Sequence, residues 1–127
     1  MSRKRQRAYR AGLWGERLAA LMLMVKGYRL LHMRQRTGAG EIDLIARRGM
    51  MLVFAEVKTR RGGATADAVH PAQASRLVRA GNAFLGAHPQ YDGMAVRFDV
   101  ILTGGIAWPQ HIKSAWQADS DSKTAIF

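Results

Sequence analysis

Four residues in the middle of the chain have the types and spacing to gather around a divalent cation. Of nine acidic residues, Glu41, Asp43 and Glu56 fall in one stretch of alternating sequence, and Lys58 follows Glu56 by two positions. Residues 41–46 and 51–59 read as two strands joined around Arg48-Gly49, a hairpin with a two-residue turn. Side chains alternate along a strand, so Glu41 and Asp43 share a face, as do Glu56 and Lys58. A turn at Arg48-Gly49 sets Glu41 opposite Glu56 and Asp43 opposite Phe54. All three carboxylates and Lys58 then project from one side of the sheet, with Ile42, Leu44, Val53, Ala55 and Val57 packing behind it.

Such a grouping is costly when nothing cancels it, because like charges across a strand pair repel and raise one another's pKa. A Mg²⁺ or Mn²⁺ ion resolves the conflict, since it takes one or two carboxylates together with water and a phosphate. Asp43 and Glu56, diagonal neighbours about 7–8 Å apart at Cα, can share one ion. Lys58 could then hold an attacking water or offset charge growing on phosphoryl oxygens. The competing account makes these acids solvent-facing groups on a polar sheet face, paired with surplus arginines.

The surplus is large: 20 Lys and Arg against 9 acids give a net charge of +11 and a pI near 11.3. A field of that sign attracts polyanions, of which nucleic acid is the commonest. Arg3, Lys4, Arg5, Arg7 and Arg10 form a basic arm over residues 1–10, frayed when nothing is bound and suited to touching phosphate. Arg60 and Arg61, just past Lys58, flank the acids and are candidate phosphate contacts. There is no cysteine, which excludes disulfides, zinc ribbons, iron–sulfur ligation and thiol nucleophiles, and fits a reducing, cytoplasmic compartment. The apolar run Leu18 to Val25 follows basic residues as in a signal peptide. Glu16, Arg17 and Lys26 interrupt it, however, no small-residue cleavage site follows, and it is too short to span a bilayer. It reads as a buried helix, and no membrane role is expected.

Length and pattern set the frame for these residues. At 127 residues the chain fits one domain, and its 48% hydrophobic content supports a core. Ala11 to Lys26 is helical, with Trp14, Leu18, Leu21, Met22 and Val25 on the apolar face, Gly12, Glu16, Ala19 and Leu23 opposite, and Gly27 as the stop. Tyr28 to Arg34 is a first strand, the acidic hairpin follows, and Arg60 to Ala68 is a loop. Pro71 opens a second helix to about Gly86, with Leu77, Ala80 and Phe84 facing inward. Val96 to Leu102 is a strand and His111 to Lys113 a shorter one, while residues 118–127 form a loose polar tail. Helix, three strands, helix and one or two strands predict an α/β domain with a mixed central sheet flanked by helices.

Gly40-Glu41-Ile42-Asp43 followed by Glu56-Val57-Lys58 resembles the D…(D/E)xK signature of the PD-(D/E)xK nuclease superfamily. More narrowly, Gly15-Glu16 and the runs GEIDLIA, FAEVKTR, VRFDV and HIKSAW resemble the YraN-like family, usually placed near archaeal Holliday-junction resolvases. The likeness spans Gly12 to Trp116, and five ordered blocks are far more specific than D…ExK alone. It implies a restriction-endonuclease-like fold, Asp43 and Glu56 as metal ligands, and Lys58 as the catalytic lysine. It also implies that Glu16 is an acid turned from the first helix toward the metal, against the plainer reading of an exposed or helix-start acid. Gln73 falls where the family often has a lysine. It continues the Leu77, Ala80, Phe84 stripe and should face inward, as a hydrogen bonder at the site or a helix-start residue.

The implied activity is Mg²⁺- or Mn²⁺-dependent hydrolysis of DNA, on branched DNA in particular, and a two-fold-symmetric junction would favour a homodimer. The alternatives are a non-catalytic nucleic-acid binder of the same fold and a basic ribosome-associated protein, the second of which gains nothing from grouped carboxylates. No GxxxxGK[ST] or GxGxxG is present, so no nucleotide cofactor is expected. His32, His70, His88 and His111 share no metal-binding spacing and read as structural or surface groups. Asp99 is expected to pair with an arginine. Trp14, Trp108 and Trp116 are expected to pack.

Overall fold

The computed structural model describes residues 3–59, 71–104 and 108–116, with side chains over 13–59, 74–104 and 108–114. Helix α1 (Arg3–Val25) leads into strands β1 (Arg29–Thr37), β2 (Gly40–Arg48) and β3 (Met51–Thr59). Helix α2 (Pro71–Ala87) and a short 3-10 turn (Pro89–Tyr91) then precede β4 (Ala95–Thr103) and β5 (Gln110–Trp116). The sheet order is β1-β2-β3-β4-β5, and every neighbour is antiparallel except β3 and β4, which run parallel. A parallel pair needs a crossover, and α2 lies within that connection. The helices pack on separate clusters of the sheet, which is the expected α/β, restriction-endonuclease-like arrangement. No described helix is long and apolar enough to cross a membrane.

On one face Leu77, Ala80 and Phe84 of α2 bury against Ile42, Ile45, Phe54, Phe98 and Val100, as their spacing predicts. Gly81 lets the helix come that close: a Cβ there would lie 2.8 Å from Phe98 Cε1 and 3.1 Å from Phe54 Cδ2. On the other face Ala19, Ala20, Met22 and Leu23 of α1 cover Leu44, Val53, Ala55 and Ile101. Here the expectation is corrected twice. The helix begins at Arg3, so residues 3–10 are its first turns. Its buried face carries Gly15, Ala19, Ala20 and Leu23; of the expected apolar face Met22 is buried and Leu18 intermediate, whereas Trp14 (62%), Leu21 (45%) and Val25 (70%) are exposed. Trp108 is also exposed, at 53%, where packing was expected.

The hairpin turn is Gly49-Met50, one residue later than predicted, with Arg48 opposite Met51 and Leu44 opposite Ala55. Gly49 takes φ +59°, a left-handed conformation that glycine adopts without strain. Moving the turn by one residue shifts the pairing by two, so faces are preserved. Ile42 is the exception. It buries on the α2 face with Ile45, whereas Leu44 and Ala46 face α1, so β2 switches sides around Asp43.

β4 and β5 are joined by a buried ionic knot. Arg97 donates from Nε and Nη2 to Asp99 at 2.8 and 2.7 Å, His111 Nε2 lies 2.6 Å from the same carboxylate, and the Ser114 amide donates at 3.0 Å. The arginine partner expected for Asp99 is therefore Arg97, and His111 is structural. Burial alone would raise the Asp99 pKa, but hydrogen bonds from His111 and Arg97 hold it below the usual carboxylate range.

Two glycines of α2 make a matched test of the packing. Gly81→Ala must displace two core rings and should cost about 1–3 kcal/mol through overpacking, more than its helix propensity returns. Gly86→Ala meets nothing within 4 Å and should be neutral or stabilising by up to about 1 kcal/mol. Urea melts of both variants check this, and a Gly81→Ala protein as stable as Gly86→Ala would show that α2 does not pack so closely.

Candidate active site

At one end of the sheet the β2–β3 backbone ladder stops and a side chain takes over. Asp43 has no cross-strand partner in the β1–β2 or the β2–β3 ladder, and the β2–β3 pairing ends at Leu44 and Ala55. Arg34, across from it on β1, has φ +54°, which marks the same irregularity. Beyond this point the Val57 amide has lost its strand partner on that side. It donates instead to Asp43 Oδ2 at 2.8 Å, which satisfies a backbone group that would be costly to bury alone. The carboxylate thereby sits against β3 beside Glu56.

Glu56 and Lys58 follow Phe54 in alternation on the α2 face. Lys58 Nζ forms an ion pair with Glu56 Oε1 at 2.8 Å, the two side chains being only 17% and 12% exposed. Arg76 of α2 reaches the same oxygen at 3.5 Å. Gly40, Glu41, Asp43, Glu56, Arg76 and Leu77 line a cavity of about 330 Å³. Asp43 and Glu56 thus face one cavity, as the alternation requires, with Lys58 held on Glu56. Glu41 is at its rim, exposed and loosely paired with Arg36 at 3.8 Å.

Glu16 reaches this end from the other helix. A Cβ on Gly15 would lie 2.6 Å from Thr103 Oγ1 and 2.9 Å from Thr59 Oγ1, so α1 can approach the ends of β3 and β4 only with glycine there. The next residue, Glu16, lies partly buried and accepts from Arg34 Nε at 2.7 Å. It is a mid-helix acid turned toward the sheet, and the exposed or helix-start alternative is set aside. Its charge is felt at the site: Asp43 is pushed up to about 6, first by burial and then by Glu16, Glu56 and Glu41, against the Val57 hydrogen bond.

Gln73 lies in the first turn of α2, and its side chain lies outside the described residues, as do Arg60, Arg61 and the side chains of Arg3, Lys4 and Arg5. Sequence reasoning missed two cations. Arg76 was findable as the residue one turn after Gln73, on the same side of α2. Arg34 carried no such signal, because its approach to Glu16 depends on the irregularity of β1.

Among the described residues no group of three or more His, Asp or Glu side chains could cage an ion by itself. The donor set is two carboxylates, and Asp43 Oδ1 and Glu56 Oε2 accept no hydrogen bond among the described residues. That set suits Mg²⁺, which keeps several waters and leaves room for phosphate, and it does not suit an ion needing an all-protein cage.

A family model described as "Uncharacterised protein family UPF0102" matches residues 15–103. A UPF0102 protein of Parvibaculum lavamentivorans is 48% identical over 111 residues, covering 87% of this chain and 84% of the relative. Relatives from Maricaulis maris and Mesorhizobium japonicum are each 45% identical, covering 91% of this chain and 92% and 93% of their own lengths. The chain belongs to the UPF0102 family, the YraN-like group of PD-(D/E)xK nuclease-like proteins.

Proposed function

We propose that the protein is a divalent-metal-dependent phosphodiesterase that cleaves nucleic acid, DNA in preference, in the cytoplasm, and that it acts as a homodimer on two-fold-symmetric branched substrates. The observation that carries this reading is the pair of carboxylates, Asp43 and Glu56, on one cavity with Lys58 bound to the second of them. Asp43 and Glu56 would hold the Mg²⁺ or Mn²⁺ ion through their unbonded oxygens. Bound there, the cation supplies Lewis acidity at the scissile phosphate.

The chain's own groups do the rest. The Val57 amide fixes the Asp43 carboxylate, so the ligand is positioned before substrate arrives. The Lys58 ammonium, held beside Glu56 by the ion pair, carries three N–H donors that could serve a phosphoryl oxygen and the attacking water. Arg76 and the +11 field attract the backbone, with Arg60, Arg61 and the basic residues Arg3, Lys4 and Arg5 as further phosphate contacts. A second reading, a binder without turnover, draws on one observation: Lys58 and Arg76 already neutralise Glu56.

Incubating the pure protein with branched, duplex and single-stranded DNA and RNA, with and without Mn²⁺, separates the two readings. Strand scission that needs Mn²⁺ and disappears in Asp43→Ala and Lys58→Ala is expected. Binding without scission of any substrate would establish the non-catalytic reading.

The two acids should answer differently to neutralisation in metal-free buffer. Asp43 ionises less readily folded than unfolded, so its contribution is favourable below about pH 4 and is lost as pH rises through about 6. Asp43→Asn keeps an acceptor for the Val57 amide and should be stabilised by about 2 kcal/mol at pH 8, with little change at pH 4. Glu56→Gln strands Lys58 and should lose about 1–2 kcal/mol, less than a fully buried pair because both groups keep some solvent. Mn²⁺ should raise the wild-type Tm and leave both variants nearly unmoved. Denaturant and thermal melts at the two pH values test all three, and a wild type indifferent to Mn²⁺ would remove the metal.

A further inference from the structure

A second concave site lies at the other end of β3. Tyr28, Arg48, Met50, Met51, Arg97 and Lys113 line a cavity of about 630 Å³, within the range of small-ligand sites. Met51 and Glu56 are five residues apart along one strand, so the two cavities are separated by roughly 17 Å.

The rear wall is rigid. Arg97 Nη2 donates to the Tyr28 hydroxyl at 2.6 Å while its guanidinium grips Asp99, and the Tyr28 and His111 rings meet edge to face at 6.1 Å. His111 bridges Asp99 to Lys26, whose Nζ lies 3.0 Å from His111 Nδ1. Asp99 is consumed by Arg97, His111 and the Ser114 amide. Arg48 and Lys113 in the lining, and Lys26 behind them on His111, have no such partner: among the described residues no carboxylate lies within ion-pair distance of any of the three. Burial, Lys113 and Arg97 push the Lys26 ammonium below its usual range, so these charges repel one another. Arg48 carries its guanidinium 5.6 Å from the Tyr28 ring centroid, and Met50 stands 65% exposed at the rim.

Those features ask for an anion with a flat apolar body. A bare inorganic anion would leave Met50, Met51 and the Tyr28–Arg48 pair without a function, and a purely apolar ligand would leave the cations uncompensated. Bases stack on guanidinium planes and aromatic rings, thioethers adapt to flat surfaces, and lysines hold phosphate. We infer that this cavity takes one unpaired nucleotide, its base against Met50, Met51 and the guanidinium of Arg48, and its phosphate toward Lys113 with Lys26 beside it. The site binds and does not cut, so it stands whether or not the carboxylate site turns over. On a strand it would hold a nucleotide away from the carboxylates.

Fluorescence anisotropy in EDTA, where metal-dependent scission cannot proceed, tests it. The probes are a labelled oligothymidylate and an abasic oligomer of equal length and charge. Wild type should bind the thymidylate roughly tenfold more tightly, the effect of one stacked base. Arg48→Ala/Lys113→Ala and Met50→Glu should lose that preference with far-UV circular dichroism unchanged. The charge-matched Arg17→Ala/Arg79→Ala variant should keep it, since both residues are exposed on helices away from the cavity. Competition by thymidine 5′-monophosphate would show that a free nucleotide suffices, and binding that it cannot displace would assign the site to a strand. Equal affinity for the two oligomers, or equal losses in the two double variants, would overturn the assignment. Failure to cleave DNA would overturn the preceding proposal and leave this one standing.

Discussion

The separation of β2 from β3 at Asp43 is the constraint on which the candidate site depends. A strand that leaves its neighbour exposes amides that must find another acceptor. Here the acceptor is the Asp43 carboxylate, which takes the Val57 N–H at 2.8 Å. One hydrogen bond thus completes the edge of a ladder and fixes an acid beside Glu56. It also explains why the acid is tolerated: the bond opposes the burial and the three neighbouring carboxylates that push Asp43 up to about 6. If β2 and β3 paired to their ends, Val57 would bond to backbone and Asp43 would lose its anchor.

The helices are placed by absence of side chain as much as by hydrophobicity. At Gly15 and Gly81 the helices α1 and α2 come too close to the sheet for a Cβ, one against threonine hydroxyls and the other against phenylalanine rings. The first contact delivers Glu16, so the approach of α1 is a condition for the site's electrostatics as well as for the core. This accounts for the face that sequence reading inverted. Trp14, Leu18, Leu21, Met22 and Val25 recur at helical spacing, yet of these only Met22 joins Gly15, Ala19, Ala20 and Leu23 in the buried face. Apolar periodicity weighs side-chain size, whereas a helix lying on a sheet face is limited by how near its backbone can come.

Other parts were legible for reasons of the same kind. Alternation placed Asp43, Glu56 and Lys58 correctly even though the turn is Gly49-Met50 and not Arg48-Gly49, because a pairing shift of two leaves every face unchanged. The Leu77, Ala80, Phe84 stripe succeeded because α2 has one apolar face and little competition from the other. Ile42 failed because alternation assumes an unbroken strand, and β2 is broken at the residue that matters for the site. Arg34 and Arg76 show the limit of counting: their roles follow from a positive φ on one strand and from the seating of a helix, neither of which is a sequence pattern.

The arrangement of charge then gives the sheet two unlike ends. Glu16, Glu41, Asp43 and Glu56 gather where β2 diverges, in a chain that has only nine acids. Lys26, Arg48, Arg97 and Lys113 gather at the opposite end of β3, with a single buried acid among them. A uniformly basic surface would bind a polyanion anywhere. At the carboxylate end Glu16, Glu41 and Glu56 each have a basic partner, so the charges there largely cancel, whereas at the other end no carboxylate among the described residues lies within ion-pair distance of Lys26, Arg48 or Lys113, and the positive field is stronger there. On the proposed reading a divalent ion at Asp43 and Glu56 would add positive charge to the carboxylate end alone, while the cationic cavity, whose Arg97 is held by Asp99, would keep its charge in either state.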